Sequence, residues 1–289
     1  MQKLARHSKE YLVSLLILVN VFVWYVVAWE QNDKLLVYFL DIGQGDSIFI
    51  KSPSGNKMIV DGGPGKTVLQ ELSKVLPFHD RKIDVVVSTH PDKDHIGGLV
   101  EVLKNYDVDF EIDPNVNAET AVLGNFEVAL SKKDTKRIVA RRGVTVDLGG
   151  GAKFIILFPD RDVLDVETNV ASIVGKLVYG EKSFLLTGDS PQSIEEYLVY
   201  LDGENLESDV LKIGHHGSRT SSATSFIETV NPRYAVIQAG KDNSYGHPHK
   251  EVIDILNSHN IEILGTYDLG TILIESDGKN LDVRSFSNK

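Results

Sequence analysis

The sequence predicts an α/β fold. Strand-like and helix-like segments alternate along most of the chain, several strand-like segments are continuously apolar, and glycine-rich bends end many of them. Residues 35–40 and 47–51 read as strands around the bend Asp41-Ile42-Gly43-Gln44-Gly45-Asp46. The turn Pro53-Ser54-Gly55-Asn56 and strand 57–60 complete a hairpin. Residues 67–76 carry a helical period. Residues 83–88 form a short apolar strand of the kind buried on both faces, running into Thr89-His90-Pro91-Asp92-Lys93-Asp94-His95, and 96–105 reads as an amphipathic helix. In the second half, 154–158, 172–179, 183–187, 210–213 and 234–238 read as strands. Helices are expected at 190–200, 222–230 and 251–259, and 271–275 closes the chain as a strand.

The bulk numbers exclude several classes. A length of 289 residues allows one large domain or two small ones. With 42% hydrophobic and 25% charged residues the chain is globular rather than disordered. A net charge of −11 argues against a surface that coats nucleic acid, so any such contact must be local. The absence of cysteine removes disulfides, thiolate zinc sites and cysteine nucleophiles.

Residues 11–29 are apolar apart from Ser14 and Asn20, and about 20 residues suffice to span a bilayer. Lys3, Arg6 and Lys9 precede this segment, and Glu30 and Asp33 follow it. The positive-inside rule then puts the N-terminus in the cytoplasm and the rest outside the membrane, with Trp24, Tyr25 and Trp29 at the far interface. Residues 1–32 are therefore expected to be a cytoplasmic stub and membrane anchor, and 33–289 one globular domain. Two alternatives stand beside the anchor: a signal peptide cleaved near Val26-Val27-Ala28, which would leave a secreted protein, and a buried core helix.

The stretch 106–150 is harder to divide. Lys133, Lys136, Arg137 and Arg141 are spaced to share one helix face, with Lys132 and Arg142 beside them. Such a face is either a solvated surface or a contact for a polyanion.

Six of the nine histidines fall in three short clusters, each after an expected strand, where α/β folds carry their ligands. His90-x-Asp92-x-Asp94-His95 places four metal-ligand types within six residues. Imidazole and carboxylate suit zinc, manganese or iron, and two ions explain that density better than one. Helix capping would account for Asp92 or Asp94 but not for the histidines. Asp189 follows an apolar strand ending in Gly188, where it either bridges two metals or caps the next helix. His215 and His216 can ligate metal, hydrogen-bond a substrate oxygen or protonate a leaving group; Lys212 and Ser218 are candidates to hold an anion. Among His247 and His249, His247 is the expected ligand.

These motifs resemble the metallo-β-lactamase superfamily, and more narrowly the extracytoplasmic hydrolase domain of ComEC-type competence proteins. The resemblance covers about residues 35–289. It rests on Leu40-Asp41-Ile42-Gly43-Gln44-Gly45-Asp46-Ser47, Asp61-Gly62-Gly63, Thr89 to Leu99, Thr187-Gly188-Asp189, His215-His216-Gly217-Ser218 and Gly246-His247-Pro248-His249. It implies an αββα sandwich with two metal ions, zinc or manganese, at one edge. His90, Asp92, Asp94 and His95 are then ligands, Asp189 is the bridging carboxylate, and a histidine of the later loops completes the set. The sequence departs from the superfamily in two places. Asp92 stands where histidine is common, and Thr168-Asn169 stands where a middle histidine is expected, so Asn169 ligates weakly or only hydrogen-bonds. ComEC proteins also have a channel of many helices, which one apolar span cannot form, so a separate channel protein is a candidate partner.

The leading expectation is a metal-dependent phosphodiesterase or nuclease acting on DNA outside the membrane. Asp94 would orient the attacking water, Lys212 with His215 or His216 would stabilise the anion, and Lys133, Lys136, Arg137 and Arg141 would hold neighbouring phosphates. One alternative is a hydrolase of a small ester, lactone, thioester or β-lactam. Another is a non-catalytic DNA-binding module with a structural metal.

Overall fold

A computed structural model describes residues 2–30 and 34–286, with side chains described for 8–25 and 34–286. Helix α1 (Gln2–Glu30) contains an 18-residue window, Ser8–Tyr25, of mean hydropathy 1.3. None of that window is buried, which overturns the core-helix alternative and leaves a helix long and apolar enough to cross a membrane. The expected boundary at residues 32 and 33, the side chains of Lys3, Arg6, Trp29 and Glu30, and those of the candidate cleavage site at 26–28 lie outside the described residues.

Strands β1 (Leu35–Phe39), β2 (Ile48–Lys51) and β3 (Lys57–Val60) make an antiparallel meander. Helix α2 (Thr67–Val75) leads to β4 (Lys82–Val87), parallel to β3. Helices α3 (Lys93–Ile96) and α4 (Leu99–Asn105) lead to β5 (Asp107–Asp113), and α5 (Ala121–Leu130) leads to β6 (Lys136–Val139); both strands continue the parallel run. Strands β7 (Thr145–Gly149), β8 (Ala152–Phe158), β9 (Val174–Tyr179) and β10 (Lys182–Leu186) are antiparallel. A parallel run follows through α6 (Gln192–Asp202), β11 (Val210–Lys212), α7 (Thr224–Val230), β12 (Tyr234–Ile237), α8 (Lys250–Ser258) and β13 (Glu262–Gly265). After the single turn α9 (Thr266–Leu269), β14 (Thr271–Ser276) and β15 (Leu281–Phe286) pair with each other, and β14 returns to β1.

The result is two sheets, ordered β15-β14-β1-β2-β3-β4-β5-β6 and β13-β12-β11-β10-β9-β8-β7. The central strands bury apolar side chains on both faces, whereas β6, β7 and β15 at the sheet edges are largely exposed. Leu35, Val37 and Phe39 of β1 meet Phe184, Leu186, Tyr234 and Val236 of the other sheet in the central core. Tyr38, Phe49 and Ile59 face outward onto α2, α4 and α5. Leu185, Leu211, Ala235 and Ile237 face α6, α7 and α8. These are the four layers of an αββα sandwich.

Four local expectations change. The helix expected at 96–105 divides into α3 and α4, with Gly97 and Gly98 at the junction. A Cβ on Gly98 would lie 1.9 Å from the Gly62 oxygen, so only glycine permits that close approach. β14 does not close the chain, since β15 follows it. The basic residues share no helix face, because Lys133 lies in a turn and Lys136 and Arg137 lie on β6. Finally, Asp189 caps no helix, since α6 begins at Gln192 after Pro191.

Candidate metal centre

Asp61 follows β3 in a left-handed conformation, φ 59°, and is almost fully buried. Its Oδ1 accepts the Thr89 amide (2.8 Å), and its Oδ2 accepts the Thr89 hydroxyl (2.6 Å). The same Oδ2 lies 2.8 Å from His95 Nδ1. A carboxylate there holds the His95 proton on Nδ1 and leaves Nε2 bare as a donor atom. His90 Nδ1 lies 3.1 Å from Thr89 Oγ1 and 3.3 Å from Ser172 Oγ. The two imidazoles, 4.1 Å apart by ring centroid, are fully buried, and neither Nε2 has a hydrogen-bond partner.

The bend between β1 and β2 closes on this loop. The Asp46 amide donates to the Asp94 carbonyl (3.1 Å). Gly45 has φ 126°, and a Cβ on it would lie 2.2 Å from that carbonyl oxygen, so the approach requires glycine.

Asp189, after β10, is the hub. Its Oδ2 lies 3.2 Å from His95 Nε2, 3.5 Å from His216 Nε2, 3.7 Å from His215 Nε2 and 4.0 Å from His90 Nε2. His215 and His216 occupy a tight turn after β11 with φ 48° and 55°, two consecutive left-handed residues that cost about 1–3 kcal/mol each. His216 Nδ1 faces the Gln238 carbonyl (3.0 Å) and Asp46 Oδ1 (3.1 Å), so its Nε2 too is turned inward without a hydrogen bond. Asp46, His95, Asp189 and His216 each offer one donor atom, all within 4.8 Å of one another.

The electrostatics follow from four buried charges. Burial works against protonation of His95, but the Asp189 and Asp61 carboxylates outweigh it and hold the ring well above its ordinary value. Burial likewise opposes His216, yet Asp189 and Asp46 raise it to about 9. Burial, with His95 adding to it, pushes His90 down to about 3. Burial would raise Asp189, but His216, His95 and Lys212 keep it well below the carboxylate range. A carboxylate cluster balanced by imidazole protons exchanges those protons for a cation. The Nε2 atom of His90, those of His95 and His216 once their protons leave, and the unpartnered Asp189 Oδ1 are nitrogen and oxygen donors that suit a borderline divalent ion. The residues present fit such an ion.

Most of the residues expected from sequence converge here. Asp92 Oδ2 lies 3.8 Å from His90 Nε2, and Asp94 Oδ2 lies 3.4 Å from His216 Nε2. Asp92 precedes α3 but makes no side-chain cap bond. Asn169 Oδ1 is buried without a partner.

The other expected residues stand further from this group or are otherwise engaged. His216, not His247, stands in the compact donor group; the His247 ring lies 6.3 Å from His216 and 5.7 Å from His215. His249 Nδ1 accepts the Arg219 amide (3.1 Å). Lys212 reaches no open surface: it is fully buried, donates to the Gly188 carbonyl (2.9 Å) and pairs with Asp46. Ser218 Oγ is taken up by the Thr220 amide (3.3 Å) and hydroxyl (3.0 Å). Arg137 lies among Glu111, Asp113 and Glu127, and Arg141 bonds the Pro114 and Ala140 carbonyls. Lys136 lies over the Phe110 ring. The sequence reading gave no role to Asp46 or Asp61, although each sits in a glycine-punctuated phrase at a strand end.

Residues 40–241 match the family model of the metallo-beta-lactamase superfamily. ComE operon protein 3 of Bacillus subtilis is 33% identical over 82% of this chain and 32% of its own length. Competence protein ComA of Neisseria gonorrhoeae is 32% identical over 85% of this chain and 33% of its own length. The chain thus spans about a third of the length of these relatives. Among solved structures, the metallo-beta-lactamase fold protein YhfI of Bacillus subtilis superposes with a TM-score of 0.58 at 14% identity, covering 84% of this chain and all of that one.

Proposed function

This chain belongs to the metallo-beta-lactamase superfamily, and we propose that it is a metal-dependent phosphodiesterase, anchored by α1, that acts on DNA outside the membrane. The observation that carries the reading is the Asp189 hub, one carboxylate oxygen facing four inward-turned imidazole nitrogens. The DNA context is supported by the competence proteins that resemble this chain.

Two divalent ions, zinc or manganese, would be held by His90, Asp92, Asp94, His95, Asp46, His216 and the shared Asp189. When bound, such ions acidify a water and offset charge on phosphoryl oxygens. Asp61 fixes the tautomer and tilt of His95 through Nδ1. Lys212 neutralises Asp46 from behind and keeps the pocket from carrying the full repulsion of its carboxylates. Asp94, one-third exposed and held ionised by His216 and His95 against its partial burial, is placed to orient water. His215 is 28% exposed, and its Nδ1 is engaged by Thr220 at 3.0 Å, so its Nε2 is free to hydrogen-bond a phosphoryl or leaving oxygen.

The test is hydrolysis by the metal-stripped full chain in detergent, with zinc or manganese restored. Cleavage of bis-p-nitrophenyl phosphate and of single-stranded DNA, both lost in Asp94→Ala, is the expected result. Cleavage of the small ester alone would remove DNA as substrate. Turnover of a β-lactam, lactone or thioester with neither phosphodiester cleaved would overturn the reading.

A further inference from the structure

We propose that the groove between α3–α4 and α5 is a binding track for the backbone of single-stranded DNA, leading into the metal centre. The inference rests on the phosphodiesterase reading for the strand's destination. The groove encloses about 980 Å³. Lys66, Lys93, Lys104, Lys132 and Lys133 line it against a single acid, Glu101. In a chain of net charge −11 this local excess of cations is unusual. Lys104 pairs with Glu101 and Lys133 with Asp107, whereas Lys66, Lys93 and Lys132 have no ion-pair partner among the described residues.

One end of the groove is lined by Pro64, Gly65, Lys93 and Gly97, on the segments that also carry the donors. Lys93 stands between Asp92 and Asp94, and Lys66 follows the Asp61-Gly62-Gly63-Pro64-Gly65 turn. That turn is tied to the histidine loop by the Gly62 amide on the His95 carbonyl (2.7 Å) and the Gly98 amide on the Gly63 carbonyl (2.7 Å). A strand held along the lysines is thereby led to the loop that carries His90 and His95.

The floor is apolar, formed in part by Val100, Val122 and Val128, and Val128 is 54% exposed. A lysine rim over an apolar floor fits a single strand, whose phosphates pair with ammonium groups while its unpaired bases cover apolar surface. A duplex turns its bases inward and would leave the floor bare. A bilayer surface is flat and does not fill a trough.

The full chain in phosphatidylcholine nanodiscs, with divalent ions chelated, would be titrated with a fluorescein-labelled oligothymidylate and followed by anisotropy. Binding should weaken steeply with salt. The double variant Lys66→Glu/Lys132→Glu should bind at least about tenfold more weakly, with the salt slope reduced by roughly 0.7 for each phosphate no longer neutralised. Lys153→Glu/Lys279→Glu, exposed charges outside the groove, should bind as the parent does. Equal binding by both double variants would overturn the proposal. So would attachment of phosphatidylglycerol vesicles that depends on Lys66 and Lys132 while the oligonucleotide does not. Because binding is read without metal, it separates from the hydrolysis assay: groove-dependent binding without any phosphodiester cleavage would sink the phosphodiesterase reading alone.

Discussion

The two halves of the molecule deliver their donors differently. In the first half, His90, Asp92, Asp94 and His95 arrive on one loop after β4, so six consecutive residues fix their proximity. In the second half, Asp189, His215–His216 and His247–His249 leave three different strands, β10, β11 and β12. Their distance from the hub follows strand order. β11 lies beside β10 and its histidines reach Asp189, whereas β12 lies one strand further and His247 stands outside the compact group. Local sequence thus decides the donors from His90 to His95, while tertiary folding brings Asp46 to them from the β1–β2 bend and strand order decides the second set.

The difference between the halves breaks most readily at Asp189, where they meet. Asp189→Ala should abolish activity and release metal. It also leaves His95, His216 and Lys212 buried without their shared counter-charge, a loss of roughly 3–5 kcal/mol. Thermal melting together with metal analysis reads both effects, and a variant that keeps its metal would separate Asp189 from the centre.

A pair of variants sharpens the role of strand order. His216→Ala should lower metal affinity at least about 100-fold, and His247→Ala by about tenfold or less. Titration calorimetry with manganese gives the ranking, and the reverse order would favour His247 as the donor.

Asp61→Asn probes the first half, since it replaces an acceptor that holds His95 Nδ1. Metal affinity should fall about 10–100-fold with the fold retained. Parent-like affinity in the same calorimeter would show that packing alone orients the ring.

Lys212→Met should act on the metal-free state. Removing the ammonium leaves Asp46 and Asp189 without a permanent cation, so the apo form should melt earlier. Added metal should then raise the melting temperature by more than it does in the parent. An equal or smaller gain would contradict that role.

The smallest expected effect lies at Glu195, which braces the second-half loops by accepting the Ser222 (2.9 Å) and Ala223 (2.7 Å) amides. Burial raises its carboxyl to about 7 despite those donors. The folded chain then keeps a proton that the unfolded chain releases near pH 4.3, so this contribution to stability grows as pH falls through 7. Glu195→Gln should flatten the stability profile over that interval in denaturant titrations, and an unchanged profile would remove Glu195 as its source.

The α/β class was legible because strand-like and helix-like segments alternate along the chain, whereas the sandwich followed only from the resemblance carried by the glycine- and histidine-rich motifs. The loop from His90 to His95 was legible because its donors are contiguous. The region 106–150 was not: β6 is only four residues, two basic and two apolar, and its Lys-Arg pair falls into an apparent helical period with Lys133 and Arg141 by coincidence. The roles of Asp46 and Asp61 depend on a bend folding against a loop about 30 to 50 residues away, which spacing does not disclose. Spacing alone does not separate His216 from His247 as a donor, because the strand order that positions them is a property of the sheet.

The most direct test of the central claim is anomalous diffraction from crystals grown with zinc. Anomalous density is expected among His95 Nε2, His216 Nε2 and Asp189, with a second peak toward His90. Density centred on His247 and His249, leaving Asp189 unliganded, would contradict it.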